Sequence, residues 1–397
     1  MSGEASRGLR RLAAALAALV LLACAAHPLP ASVTISSDTY VGPTDTTYDG
    51  QSVTVSGCTL TIDGAHSLAD LVVVSNGRVR HTSYSGDPDQ RLDLSVAGDL
   101  TIESGSSVDA SYRGYPRNEG PGAGGAGGYI GTDAGSGGFG GNGGSSTGPG
   151  GVAYGSITEP ADWGSGGHDL FFPGGAGGGR IRLNVGGRLV VNGAISSNGD
   201  SPSLHPWGQA GCGSGGSIWI TAAVIEGAGS ITARGGGAAY LATGGGGGRI
   251  AIHCGTNSFT GTLSASGGPG AYPGGAGTIY TRAGSSAPGV VLIDNEGPAG
   301  APTPLTFAAP VELTVRRGAR AVLAAGTTLR SLTCDAGVLA AHDGASSLIA
   351  SVTENAAFSN ASTVLGNVTL EVGGDLFVSQ DSRFDAYQAG FPPGEGP

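Results

Sequence analysis

Apolar residues fall along this chain in short runs, none longer than a β-strand after the first 26 positions. Val53-Thr54-Val55, Leu60-Thr61-Ile62, Leu71-Val72-Val73 and Leu100-Thr101-Ile102 are each bounded by Gly, Asn, Asp or Ser. A period of two sorts side chains to opposite faces of a strand. The flanking turn residues then end it.

Between Gly179 and Gly277 this pattern repeats. Gly179-Arg180-Ile181-Arg182-Leu183, Gly216-Ser217-Ile218-Trp219-Ile220, Gly248-Arg249-Ile250-Ala251-Ile252 and Gly277-Thr278-Ile279-Tyr280-Thr281 begin 37, 32 and 29 residues apart. Three continue to a second short strand, Gly193-Ala194-Ile195-Ser196-Ser197, Gly229-Ser230-Ile231-Thr232-Ala233 and Gly261-Thr262-Leu263-Ser264-Ala265. One such unit cannot bury its apolar face, whereas stacked units can. Alternation assigns Ile181, Ile218, Ile250 and Ile279 to one inner ladder. Leu183, Ile220, Ile252 and Thr281 form a second, and Val185, Ala222, Cys254 and Ala283 a third. The predicted fold is all-β, a parallel β-helix (β-solenoid) with glycine-rich insertions.

A longer repeat lies on top of this one. Residues 96–121 match 372–397 at a constant offset of 276, with Gly98/Gly374, Asp99/Asp375, Leu100/Leu376, Asp109/Asp385 and Pro121/Pro397 among the identical pairs. The first copy leads into a glycine-rich block, and the second reaches Pro397, so a truncated piece of a longer repeated protein is expected. The predicted organisation is a signal peptide (1–31), coils (32–112), a glycine-rich insertion (113–178), coils with glycine-rich excursions (179–283), a Pro/Ala-containing connector (284–309) and further coils (310–397). The insertion is either flexible or packed as extended polyglycine strands, and both readings stay open.

Composition agrees with strands. The chain has 78 Gly in 397 residues, well above the usual ~7%. Each Gly costs a helix about 1 kcal/mol relative to Ala. All 19 basic residues are Arg. Without Lys, neither a phosphate-binding P-loop nor a lysine Schiff base can form. The formal net charge of −11 repels nucleic-acid phosphates and anionic lipid heads.

Arg7, Arg10 and Arg11 precede the apolar run Leu12 to Ala26, which is too short to span a bilayer and fits an export signal. Two processing routes compete, lipidation at Cys24 after Leu21-Leu22-Ala23 and ordinary cleavage before Ser32. Cys58, Cys212, Cys254 and Cys334 match no zinc spacing. They are disulfide partners in one of three pairings, or buried thiols.

The unit G-G-x-G-x-[IL]-x-[IL] followed by G-x-[IL]-x-A-x-G-G resembles that of large glycine-rich repeat proteins exported by bacteria, with parallel β-helix architecture. Gly98-Asp99-Leu100-Thr101-Ile102 and Val108-Asp109-Ala110 resemble the sequence leading into their glycine-rich blocks. Gly124-Gly125-Ala126-Gly127-Gly128 also resembles the tracts of mycobacterial PE-PGRS proteins, without their N-terminal domain. The resemblance implies a surface or secreted, adhesin-like role and carries no catalytic residue.

Candidate chemistry is sparse. Gly144-Ser145-Ser146-Thr147-Gly148 has the spelling of a nucleophile elbow, which needs a strand before it and a helix after it. His168-Asp169 reads as a solvated loop. His253 and Cys254 are neighbours on a strand and point to opposite faces. Asp99, Asp109, Asp375 and Asp385 read as turn or strand-end residues. No metal, cofactor or catalytic residue is assigned. The sharper expectation is an outward stripe of Arg180, Arg182, Trp219, Arg249 and Tyr280, with Arg182 beside Trp219. Exposed on a flat sheet, aromatic rings cover the apolar face of a sugar, and Arg pairs with its carboxylates or sulfates. The expected function is a secreted or cell-surface structural and adhesive protein, not an enzyme. Its expected partner is an extracellular or cell-wall polysaccharide, not nucleic acid, and it meets a membrane only if the lipidation route at Cys24 is the one taken. A polysaccharide-degrading β-helix enzyme is the alternative, and ice binding through ordered polyglycine is a third reading.

Overall fold

The computed structural model describes residues 30–127, 134–170, 172–202, 210–237, 243–341 and 348–385. Cys24 and almost all of the export signal lie outside the described residues. Those described form an all-β structure of four sheets with fifteen, seven, five and three strands. Every pairing among them is parallel except that of Thr278–Ala283 with Gly289–Asp294.

The largest sheet runs from Ser32–Ile35 to Leu376–Val378. In the N-terminal part it is accompanied by the seven-stranded sheet, from Thr39–Val41 to Thr262–Ser264. Beyond Gly289 the five- and three-stranded sheets accompany it. Strand registers follow the apolar ladders. Ile181 pairs with Ile218, Ile218 with Ile250, and Ile250 with Ile279, and all four are buried. Leu71, Leu100, Leu189 and Ile225 align in the same way. Burying an Ile or Leu side chain contributes about 2 kcal/mol. The third ladder holds at Val185, Ala222 and Cys254, but Ala283 at its end is exposed.

The segment expected as a connector contains two strands, Gly289–Asp294 and Pro302–Leu305. Its Val290-Val291-Leu292-Ile293 run reverses direction after Thr278–Ala283. The reversal lets the run add to the same large sheet antiparallel to its neighbour.

The glycine-rich tracts contain no strand in residues 134–170, yet their backbones are satisfied. Gly244 and Gly247 donate to the carbonyls of Tyr272 and Gly275, Gly245 and Gly248 to those of Gly236 and Ala233, and Gly246 to that of Gly137. Gly211 and Ser214 donate to His168 and Ser165, Gly213 and Gly216 to Asp200 and Ser197, and Gly215 to Gly246. Partners recur every third residue, the repeat of a polyproline II helix, which makes no internal hydrogen bonds and must bond sideways. Side chains are excluded where the tracts touch. A Cβ at Gly135 would lie 1.8 Å from the Pro149 carbonyl oxygen, and one at Gly268 1.8 Å from that of Gly236. The insertion is thus packed against the glycine-rich excursions at 210–216 and 244–248.

Candidate functional site

The outward stripe lies on four strands, Arg180–Val191, Ser217–Gly227, Arg249–Phe259 and Thr278–Ala283. Its two columns are in register as the repeat requires. Arg180, Ser217, Arg249 and Thr278 share one, and Arg182, Trp219, Ala251 and Tyr280 share the next. The Arg182 guanidinium stacks on Trp219 at 4.5 Å from the ring centroid and reaches Asp93 at 3.7 Å.

The stripe is nevertheless not an exposed flat face. Arg249 is 3% exposed and Tyr280 6%, while Arg182 and Trp219 remain half-buried. The cover is the insertion itself. Phe139 and Tyr154 pack against each other at 4.8 Å, with the Arg249 guanidinium 5.8 Å from the Phe139 ring. Trp163 stacks against Tyr84 and Tyr115 at 4.8 and 6.2 Å, beneath Arg180 at 5.8 Å. The Trp163 Nε1–H donates to the Gln90 carbonyl at 3.1 Å, and the Ser217 hydroxyl donates to that of Asp162. Aromatic side chains carry the largest apolar areas available. Docking them on the sheet removes more apolar surface from water than leaving the insertion free. The sequence signal for this cover was the placement of Phe139, Tyr154 and Trp163 in an otherwise Gly/Ser-rich tract.

The covering leaves a groove of about 580 Å³ bordered by Ile157, Arg249, Tyr280, Arg282, Phe307 and Pro310. Arg249 donates from Nε to the Tyr154 carbonyl (2.8 Å) and from Nη1 to the Thr278 hydroxyl (3.1 Å). Arg282 donates from Nε to the Ala287 carbonyl at 3.2 Å and from Nη2 to that of Ser285. None of these acceptors is charged. Burial lowers the Arg249 guanidinium to about 10, with Asp162 acting in the opposite sense, so it stays cationic at neutral pH. Sequence reasoning did not single out Arg282, because its place in the groove depends on the chain reversal that follows it.

The other candidates fall apart geometrically. His168 bonds through Nδ1 to the Asp169 carbonyl at 2.6 Å, and Asp169 binds Arg117 and Asn118. Ser146 sits in a stretch with neither strand nor helix beside it. His253 Nε2 bonds the Thr158 carbonyl at 2.7 Å, while Cys254 points into the core. Cys58, Cys212, Cys254 and Cys334 are free and buried, and burial pushes each thiol up, Cys212 to about 12 and Cys334 to about 11. Asp99 accepts from the Arg188 amide at 2.7 Å, and Asp109 from the Ser111 amide and the Ser196 hydroxyl. Both cap strand ends. Among the described residues no group of three or more His, Cys, Asp or Glu side chains is arranged to hold a metal ion. No protein-family model, curated protein or solved structure matches the chain.

Proposed function

We propose that this chain is a secreted or cell-surface structural and adhesive protein, a parallel β-helix stiffened by a polyglycine layer, which holds polysaccharide at the cell exterior. The observation that carries the reading is the lateral hydrogen bonding of the glycine tracts. The tracts approach so closely that positions such as Gly135 and Gly268 have no room for a Cβ. That packing suits a rigid spacer and offers few groups for chemistry. The Arg-then-apolar N-terminal order supports export, and the two-tier repeat supports kinship with exported glycine-rich repeat proteins of bacteria. The buried arginine in a groove favours anionic glycans as partner, and it would equally serve a polysaccharide-degrading enzyme.

The test is a glycan array probed with the exported protein, run beside a reducing-end assay on the same polysaccharides. Retention without cleavage is the expected result. Cleavage would replace the adhesive reading by the enzymatic one. Mass spectrometry of the exported protein distinguishes a mature terminus at Ser32 from a lipid on Cys24.

A further inference from the structure

We infer that the groove between residues 155–158 and the segment from Ala287 to Val311 is a binding site for the anionic substituent of an acidic polysaccharide, with Arg249 at its floor and Arg282 at its rim. The inference rests on the polysaccharide-binding reading above and relocates it from the open sheet face to the groove.

Three observations converge. First, the groove carries two arginines and no acidic residue in its lining, although the chain as a whole is acidic at −11. Second, Arg249 is almost fully buried and its protein partners are a carbonyl, a hydroxyl and an aromatic ring. Asp162 acts on it electrostatically, but its hydrogen-bond acceptors are neutral, and burying a cation without a directly bonded counter-charge is costly. An incoming carboxylate or sulfate would give this guanidinium the charge-assisted hydrogen bond that its neutral partners do not supply. Third, the walls are Ile157, Tyr280, Phe307 and Pro310, apolar and aromatic surfaces of the kind that cover the flat face of a pyranose ring. The groove's size falls within the usual range for small-ligand sites, roughly 300–1,000 Å³, and its open shape lets a chain lie across it. Residues 155–158 belong to the insertion, so the same docking that hides Arg249 from solvent builds one wall of the site.

The experiment measures binding of the full chain to three probes by calorimetry: oligogalacturonate, a sulfated galactan oligosaccharide and neutral galacto-oligosaccharide. At least one anionic probe should bind about tenfold or more tightly than the neutral one, and the arm that binds identifies carboxylate or sulfate. Arg282→Gln should weaken that binding at least about tenfold, the loss of one charge-assisted hydrogen bond, with an unchanged melting midpoint. Arg249→Gln should weaken it further, and its circular dichroism shows whether the fold survives. Should it not, Arg282→Gln carries the test alone. Arg182→Gln, on the sheet outside the groove, should leave binding intact. Binding that survives Arg282→Gln but is lost in Arg182→Gln overturns the groove and leaves the glycan reading standing. No binding to either anionic probe, or equal binding of the neutral one, overturns the groove. Silence across the whole glycan array overturns the glycan reading with it.

Discussion

His81 is a buried titratable side chain of the N-terminal part, held at both ring nitrogens. It is fully buried, donates from Nδ1 to the Thr82 carbonyl at 2.6 Å and accepts the Arg180 amide on Nε2 at 3.2 Å. Protonating Nε2 would set two donors against each other in a dry site. Desolvation, helped by Arg113, lowers its pKa to about 4, against the partial opposition of the Thr82 bond and Asp109. The unfolded chain therefore binds a proton that the folded chain refuses between pH ~6.5 and ~4. Stability contributed by neutral His81 is fully present above pH ~6.5 and declines as pH falls to ~4, by roughly 3 kcal/mol in all. Urea midpoints at pH 7.5, 5.5 and 4 for the protein and for His81→Gln isolate this term from the titration of carboxylates. A difference between the two that stays constant over this window would show that His81 is not held neutral. Glycine supplies the other residue-scale constraint. Gly135→Ala must push a methyl into the Pro149 carbonyl at 1.8 Å and should cost about 1–3 kcal/mol, as overpacking does. At Gly42 the nearest atoms to an added Cβ are 3.6 Å away or more, so Gly42→Ala should melt within a degree or two of the parent.

At the scale of the element, the insertion is held by a few aromatic anchors rather than by its glycines alone. Trp163 joins Tyr84, Tyr115, Gln90 and Arg180 in one cluster. Trp163→Ala should remove about 3–5 kcal/mol of local packing and expose the polyglycine tract to protease. Limited proteolysis should then cut within 134–178 well before the sheets, and an unchanged cleavage pattern would place the anchor elsewhere. The same element shows what the sequence made legible. The Ile181 ladder and its register could be read directly, because period-two alternation is local and parallel pairing of repeated strands sets equivalent residues side by side. The burial of Arg249 and Tyr280 could not, since the Tyr154 carbonyl that receives Arg249 is 95 residues away and alternation says only that a side chain points outward, not what covers it. The polyglycine layer was half legible. Composition marked the tracts, but their order depends on three-residue periods on separate tracts finding one another. In the connector, Pro and Ala at its ends masked an apolar run, Val290 to Ile293, that had the signature of a strand.

Across the whole molecule the apolar interior divides into two clusters, one drawn mainly from Ile35 to Ile279 and the other mainly from Val291 to Val364. They meet where strand direction reverses between Thr278–Ala283 and Gly289–Asp294. Each strand of a sheet is held chiefly by its immediate neighbours, so stability need not be lost all at once. The 276-residue repeat makes this visible. Leu100 and Ile102 are fully buried because Leu189 and Val191 stack on them, whereas their counterparts Leu376 and Val378 are 52% and 40% exposed. Leu313→Ala, which empties a buried position of the second cluster at a cost of about 2–5 kcal/mol, should speed exchange across 311–365 while 53–232 stays protected. Equal loss of protection in both stretches would mean that the reversal couples them into one cooperative unit, and that the polyglycine layer, which bonds Gly140 and Gly141 to Gly247 and Asn142 to Pro302, is the strap that does so.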